Sequence, residues 1–103
     1  MHNKYFTVCL PEFSTITEMM RVEEILKEGI GNTSGIVINK IRNEPGEDEQ
    51  IARVHQHARE LDGIPVLEVP FHPGLRDPDY DIRIAAFHEI AALFDVFSEK
   101  SDD

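Results

Sequence analysis

Two apolar runs of this sequence each end in residues that could hold a planar ligand. The first apolar run begins at Gly35 and is followed by Asn39 and Lys40. The second apolar run is directly followed by Pro70 and Phe71. A side-chain amide offers one hydrogen-bond donor group and one acceptor, and an aromatic ring beside a proline supplies apolar contact. Open α/β sheets bind ligands in the crevice outside the carboxyl ends of their strands. The spacing therefore predicts a site for a flat, hydrogen-bonding ring.

Two further residues are expected near the same edge of the sheet. Glu12 follows Pro11 at the end of the first apolar run, and His72 follows Phe71. Either could face the crevice or a partner surface, and Glu12 could equally cap the following helix. No nucleophile lies in a recognisable pair with a base. A free-standing enzyme that uses Glu12 or His72 as a general base is therefore the weakest hypothesis.

The remaining histidines and the cysteine predict no metal site. His55 and His57 are two residues apart on an expected helix and point to different sides. His88-Glu89 lacks the second histidine of a His-Glu-x-x-His pattern. Cys9 lies in an expected buried strand and is interpreted as an inert core thiol.

Composition limits the class of protein. The 103 residues predict a single domain spanning 1–103. A net charge of −10 weighs against nucleic acid as a partner and against anionic membrane surfaces. No apolar run approaches the ~18 residues of a membrane span, and the first residues lack the apolar core of a signal peptide. With a single cysteine and no internal disulfide possible, a cytoplasmic location is expected.

Hydrophobic periodicity predicts alternating strands and helices. Thr15 and Glu18 are interpreted as a capping box, and Glu23 with Lys27 as a surface ion pair. Asp79 is expected to cap the last helix. The expected elements are strands at 5–10, 35–41 and 64–69, helices at 15–28, 47–62 and 80–97, and a frayed acidic tail at 98–103.

This order predicts an α/β fold with three layers. Strands that alternate with helices form a parallel sheet with right-handed crossovers. About three strands are expected, so at least one edge of the sheet is open. An open apolar edge is a site of association with another chain.

Four segments resemble the C-terminal half of the ArsA family of P-loop ATPases, which is related to MinD and ParA. The segments are Val8-Cys-Leu-Pro-Glu-Phe13, Thr17-Glu-Met-Met-Arg-Val-Glu-Glu-Ile-Leu26, Gly35-Ile-Val-Ile-Asn-Lys40 and Val66-Leu-Glu-Val-Pro-Phe71. The family includes arsenite-pump ATPases and the ATPase that targets tail-anchored membrane proteins. The resemblance covers residues 5–97 and implies the C-terminal half of a P-loop fold.

The resemblance implies an adenine-nucleotide site. Asn39 would read the adenine base, and Pro70 and Phe71 would line its pocket. Lys40 could contact the ribose side, pack through its stem, or remain solvated. ATP is the implied cofactor, with Mg²⁺ only in a complete protein. The implied role is energy coupling for anion transport or membrane-protein targeting. The expected partners are a second copy or an N-terminal ATPase half, with a possible peripheral membrane partner.

The phosphate-binding machinery of that family is not in this sequence. The pattern Gly-x-x-x-x-Gly-Lys-[Ser/Thr] does not occur in the 103 residues. Without a phosphate loop and metal, phosphoryl transfer is not expected from this chain alone. The chain is interpreted as a C-terminal fragment, a split-gene product or a degenerate half. The alternative is a non-enzymatic, flavodoxin-like protein-interaction module.

Overall fold

The computed structural model describes residues 5–100 and has the predicted alternation of strands and helices. The elements are β1 (Phe6–Cys9), α1 (Phe13–Ile30), β2 (Gly35–Ile41), α2 (Glu47–Glu60), β3 (Val66–Pro70), a 3₁₀ turn (Pro73–Arg76) and α3 (Tyr80–Lys100). The three strands are parallel and lie in the order β1-β2-β3. The prediction of an α/β fold with a three-stranded parallel sheet is confirmed.

Helices α1 and α2 cover one face of the sheet. Ile16 of α1 and Val54 of α2 are fully buried against Ile36 and Ile38 of β2. Because both helices lie on the same face and the strands follow in chain order, both crossovers have the same hand. This is the arrangement that right-handed parallel crossovers require.

Within residues 5–100, α3 is the only helix that covers the opposite face. Phe97 of α3 is buried with Val37 of β2 and Val69 of β3. The ring of Phe97 also lies 5.2 Å from that of Phe6, measured between centroids. A side chain on Gly35 would place its Cβ only 2.6 Å from Cζ of Phe97. The absence of a side chain at residue 35 therefore allows α3 to pack this close to β2.

The ends of several elements differ from the sequence prediction. Helix α1 begins at Phe13, and no side chain caps it, so the predicted capping box is wrong. Thr15 instead exchanges hydrogen bonds with the backbone N–H and C=O of Leu10. Asp79 caps α3 as predicted, accepting from the backbone N–H of Asp81 at 2.8 Å. Helix α3 continues to Lys100, three residues beyond its predicted end, and the rest of the predicted tail, 101–103, lies outside the described residues.

Glu23 has a role that differs from its predicted surface pair with Lys27. Its carboxylate is buried and accepts a hydrogen bond from the hydroxyl of Thr7 at 2.6 Å. Its other oxygen lies 2.6 Å from Nε2 of His57. The carboxylate thus joins β1, α1 and α2 in one polar network beneath the sheet. A buried carboxylate needs such partners to compensate for lost hydration.

Among residues 5–100, no helix is long and apolar enough to cross a membrane.

Candidate functional site

A bulge at the carboxyl end of β2 places Asn39 and Lys40. The pairing of β2 with β3 shifts register between Ile38 and Ile41. Lys40 takes a left-handed backbone conformation with φ of 59°. Oδ1 of Asn39 accepts a hydrogen bond from the backbone N–H of Lys40 at 3.0 Å. Asn39 lies two residues after Val37, which packs against α3, so strand alternation turns Asn39 toward the layer of α3.

A cavity of about 190 Å³ brings together five of the six residues predicted for a site. It lies where β2 and β3 end, between the 3₁₀ turn and Ile90 in the middle of α3. Its volume is below the ~300–1,000 Å³ of pockets that enclose a drug-sized ligand, so it accommodates one small ring system. The lining residues are Asn39, Lys40, Val69, Pro70, Phe71, His72, Leu75, Arg76 and Ile90.

Asn39 keeps hydrogen-bonding capacity toward this cavity. Because its Oδ1 accepts from Lys40 N–H, the orientation of the amide is fixed. The carbonyl oxygen has a second lone pair, and both N–H donors of the amide have no partner among the described residues. The amide can therefore donate to one atom of a bound ring and accept from its neighbour.

Phe71 forms an aromatic wall that is shared with two arginines. The guanidinium carbon of Arg42 lies 4.3 Å from the ring centroid, and that of Arg76 lies 5.7 Å away. Cations within about 6 Å of a ring centroid are attracted to its π face. The buried carboxylate of Glu47 accepts from the backbone N–H groups of Arg42 and Asn43, both at 2.9 Å, and so fixes the loop that carries Arg42.

Three cations gather around this cavity in a strongly acidic protein. Lys40 and Arg76 line it, and Arg42 stacks on its aromatic wall. None of the three forms an ion pair with any carboxylate of the described residues. Carboxylates also lie close to these cations, because Glu12, Glu44 and Glu47 line the adjoining cavity together with Lys40 and Arg42.

His72 lines the cavity but has both ring nitrogens occupied. Its Nδ1 accepts from the backbone N–H of Gly74 at 3.1 Å. Its Nε2 lies 2.5 Å from a carboxylate oxygen of Glu89 on α3. Since Nδ1 is an acceptor, Nε2 carries the proton and donates a hydrogen bond to Glu89. In this state the imidazole ties the loop to α3 and has no free lone pair for a general base.

Glu12 lies in a separate cavity of about 450 Å³ between the ends of β1 and β2. Lys40 lines both cavities and marks the boundary between them. The first turn of α2 carries Glu47, Asp48 and Glu49, which oppose an anion at this helix start. Glu12 is therefore not brought together with Asn39 and Phe71.

The described residues contain no cluster of three or more histidine, cysteine or acidic side chains that could hold a metal ion. Cys9 is buried, as predicted. Burial, together with the nearby charge of Glu23, raises the pKa of the Cys9 thiol from its ordinary 9.0 to about 11. The thiol stays protonated at neutral pH and is a poor nucleophile.

Comparisons with family models, curated proteins and solved structures gave no significant match. The resemblance to ArsA-type ATPases therefore rests on the sequence segments alone. Sequence reasoning missed Arg42, Arg76 and Glu47. Only the folded loop shows that the carboxylate of Glu47, in the first turn of α2, holds the chain next to the aromatic wall.

Proposed function

We propose that this chain supplies the base-binding part of an adenine-nucleotide site, as the C-terminal portion of an ArsA-like ATPase. The observation that carries the proposal is the shared cavity of Asn39, Lys40, Pro70 and Phe71. These residues come from two strands about thirty positions apart. Their meeting at one cavity supports the base-binding roles that the resemblance implies.

The size and charge of the cavity support a nucleotide more than a neutral ring. The volume of about 190 Å³ suits a base alone, so the ribose and phosphates would extend over the rim. Lys40 and Arg76 lie there without carboxylate partners among the described residues. Cations attract phosphate groups strongly even where no phosphate loop encloses them.

Hydrolysis is proposed only for an assembly in which a second polypeptide segment carries a Walker A loop and binds Mg²⁺. The cavity offers no metal ligands and no general base, because His72 uses both ring nitrogens. In such an assembly, the chain would contribute base recognition to energy coupling. Transport of an anion or targeting of a membrane protein is the coupled process that the resemblance implies.

Calorimetry on the isolated chain tests the proposal with ATP, ADP and GTP. We expect millimolar binding that favours the adenine nucleotides and weakens about three- to tenfold in Asn39→Ala, as the loss of a hydrogen bond predicts. Asn32→Ala is the matched control, because Asn32 is exposed on the loop before β2, at the opposite end of that strand. Equal binding of ATP and GTP, or equal binding by wild type and Asn39→Ala, would contradict the proposal.

The second candidate function is a protein-interaction module of flavodoxin-like layout. It is favoured by large apolar side chains that remain exposed on β1 and α3, among them Val8, Tyr80 and Phe87. It predicts a folded chain that binds partners and is indifferent to nucleotides. The Asn39→Ala comparison therefore separates the two functions.

A further inference from the structure

The 3₁₀ turn (Pro73–Arg76) forms one wall of the cavity that Asn39 lines, and an imidazole caps this turn. Leu75 and Arg76 of the turn line the cavity. His72 precedes the turn, and its Nδ1 accepts a hydrogen bond from the backbone N–H of Gly74 at 3.1 Å. Nε2–H of the same ring donates to Glu89 of α3. One ring therefore joins a wall of the cavity to α3.

Close packing at Gly74 limits how this wall can move. A Cβ on Gly74 would lie 3.0 Å from Cβ of Ala86 on α3, and 3.0 Å from both Cε1 and Nδ1 of His72. The imidazole and α3 thus lie on the same side of Gly74. The turn can separate from the ring only by moving away from α3, and this movement would carry Leu75 and Arg76 outward and open the cavity.

The cap depends on the protonation state of the ring. A neutral imidazole has one nitrogen that accepts a hydrogen bond, whereas an imidazolium has two donors and no acceptor. Protonation would set Nδ1–H of His72 against the N–H of Gly74 across 3.1 Å, so an attraction becomes a repulsion. The bond from Nε2–H to Glu89 would gain a charge and become stronger. The ring would therefore stay on α3 while the turn loses its cap.

The neighbouring cations would favour the same movement. Lys40 of β2 and Arg76 of the turn line the cavity together with His72, and a positive charge on the ring would repel both. Because Arg76 belongs to the turn, this repulsion acts on the turn that has lost its cap. Other charged groups on the surrounding elements contact other partners: Arg42 stacks on Phe71, Glu68 pairs with His55, Asp77 accepts from the N–H of Asp79, and Arg83 donates to the C=O groups of Asp77 and Pro78.

We propose that His72 is a pH-sensitive positioning residue for this cavity. It holds the turn against α3 when neutral and releases the turn when protonated. Histidine is the side chain whose ordinary titration falls between about pH 5 and pH 8, so the cavity is closed at the upper end of this range and open at the lower end. The expected effect on ligand binding rests on the proposed adenine site, whereas the release of the turn does not.

Two-dimensional NMR of the ligand-free chain, between about pH 8 and pH 5, tests the release of the turn. The nitrogen chemical shift of Nδ1 reports protonation of His72, and the backbone amide of Gly74 reports the cap. We expect the two signals to change together, and the amides of Leu75 and Arg76 to become more mobile over the same range. A protonated Nδ1 with an unchanged Gly74 amide overturns the proposal, as does an Nδ1 that stays unprotonated throughout.

The variant His72→Asn separates the cap from the titration. The side-chain oxygen of asparagine is attached to Cγ, as Nδ1 is in histidine, and it can accept from the N–H two residues on, but it does not titrate. Adenosine is the probe, because it carries no phosphate. We expect wild type to bind adenosine about three- to tenfold more weakly near pH 5.5 than near pH 8, as the loss of one hydrogen bond predicts. His72→Asn should bind equally at both.

His55→Asn is the matched control for this variant. His55 also contacts a glutamate through Nε2, at 2.9 Å from Glu68, but within the described residues its ring caps no turn. His55→Asn should keep the pH response of wild type. A pH response that persists in His72→Asn would overturn the proposal. If adenosine binds at neither pH, the adenine site is contradicted, and the NMR titration of the ligand-free chain still decides whether His72 releases the turn.

Discussion

The side-chain oxygen of Asn39 accepts a hydrogen bond from the backbone N–H of Lys40 at 3.0 Å. This short-range contact supports the left-handed conformation of Lys40 and the bulge near the carboxyl end of β2. It also fixes which side of the amide carries the donors. Asn39 therefore has a structural role and a recognition role, and different substitutions separate them.

Asn39→Asp should keep the bulge and change the preferred base. A carboxylate still accepts from Lys40 N–H, but it lacks the donors that an adenine ring nitrogen requires. We expect weaker ADP binding and a selectivity that moves from adenine toward guanine, whose edge offers donors. Thermal unfolding should match wild type within a few degrees, unlike Asn39→Ala. Unchanged adenine selectivity in Asn39→Asp would show that the amide does not read the base.

Glu23→Ala should destabilise the fold by about 2–4 kcal/mol. It removes the shortest hydrogen bond made by the hydroxyl of Thr7 and the one made by Nε2 of His57. Urea unfolding followed by circular dichroism measures the change. Glu24→Ala, at the exposed next position of α1, should stay within about 0.5 kcal/mol of wild type. Equal effects of the two substitutions would mean that the buried network contributes nothing specific.

Gly35→Ala should lower stability by about 1–3 kcal/mol through overpacking. The new Cβ would lie 2.6 Å from Cζ of Phe97 and 3.2 Å from Cδ1 of Phe6. The double substitution Gly35→Ala with Phe97→Leu should recover part of the loss, because it removes the closest atom. Additive losses in this double-mutant cycle would argue against the contact between the ring and the glycine.

Alkaline pH should reveal the burial of Cys9. Burial, with the charge of Glu23, raises the pKa of the folded thiol from 9.0 to about 11. Below pH 9 the thiol is neutral in both states and its stabilising contribution is complete. Between pH 9 and 11 only the unfolded thiol ionises, so stability falls. Between pH 9 and 11 the free energy of unfolding should fall less steeply with pH in Cys9→Ala than in wild type. Equal slopes for the two proteins would contradict the raised pKa of Cys9.

Much of the fold follows from local pattern. The apolar run Ile36 to Ile38 predicts a strand buried on both faces, and in the structure these residues contact helices on opposite sides. Placing Asn39 and Phe71 at one edge requires only that the strands be parallel, which the alternation with helices dictates. This is why most of the candidate site could be located from the sequence.

The contacts that could not be predicted from the sequence join residues that are far apart in the chain. Glu23 has Lys27 four residues away as a plausible surface partner, yet its buried partners are sixteen and thirty-four residues away. Likewise, the stacking of Arg42 on Phe71 joins two loops that only the folded sheet brings together. Single-sequence periodicity reports which face of an element is apolar, and it carries no information on pairings of this range.

The most direct test of base binding is a titration of the isotopically labelled chain with ADP, followed by two-dimensional NMR. Base binding predicts saturable shifts of the Asn39 side-chain amide and of the backbone amides of Phe71 and His72, with no change at Thr7 or Val22 near the edge of β1. If the amide signals of Asn39 and Phe71 do not shift at millimolar ADP, a base site at the ends of β2 and β3 is contradicted.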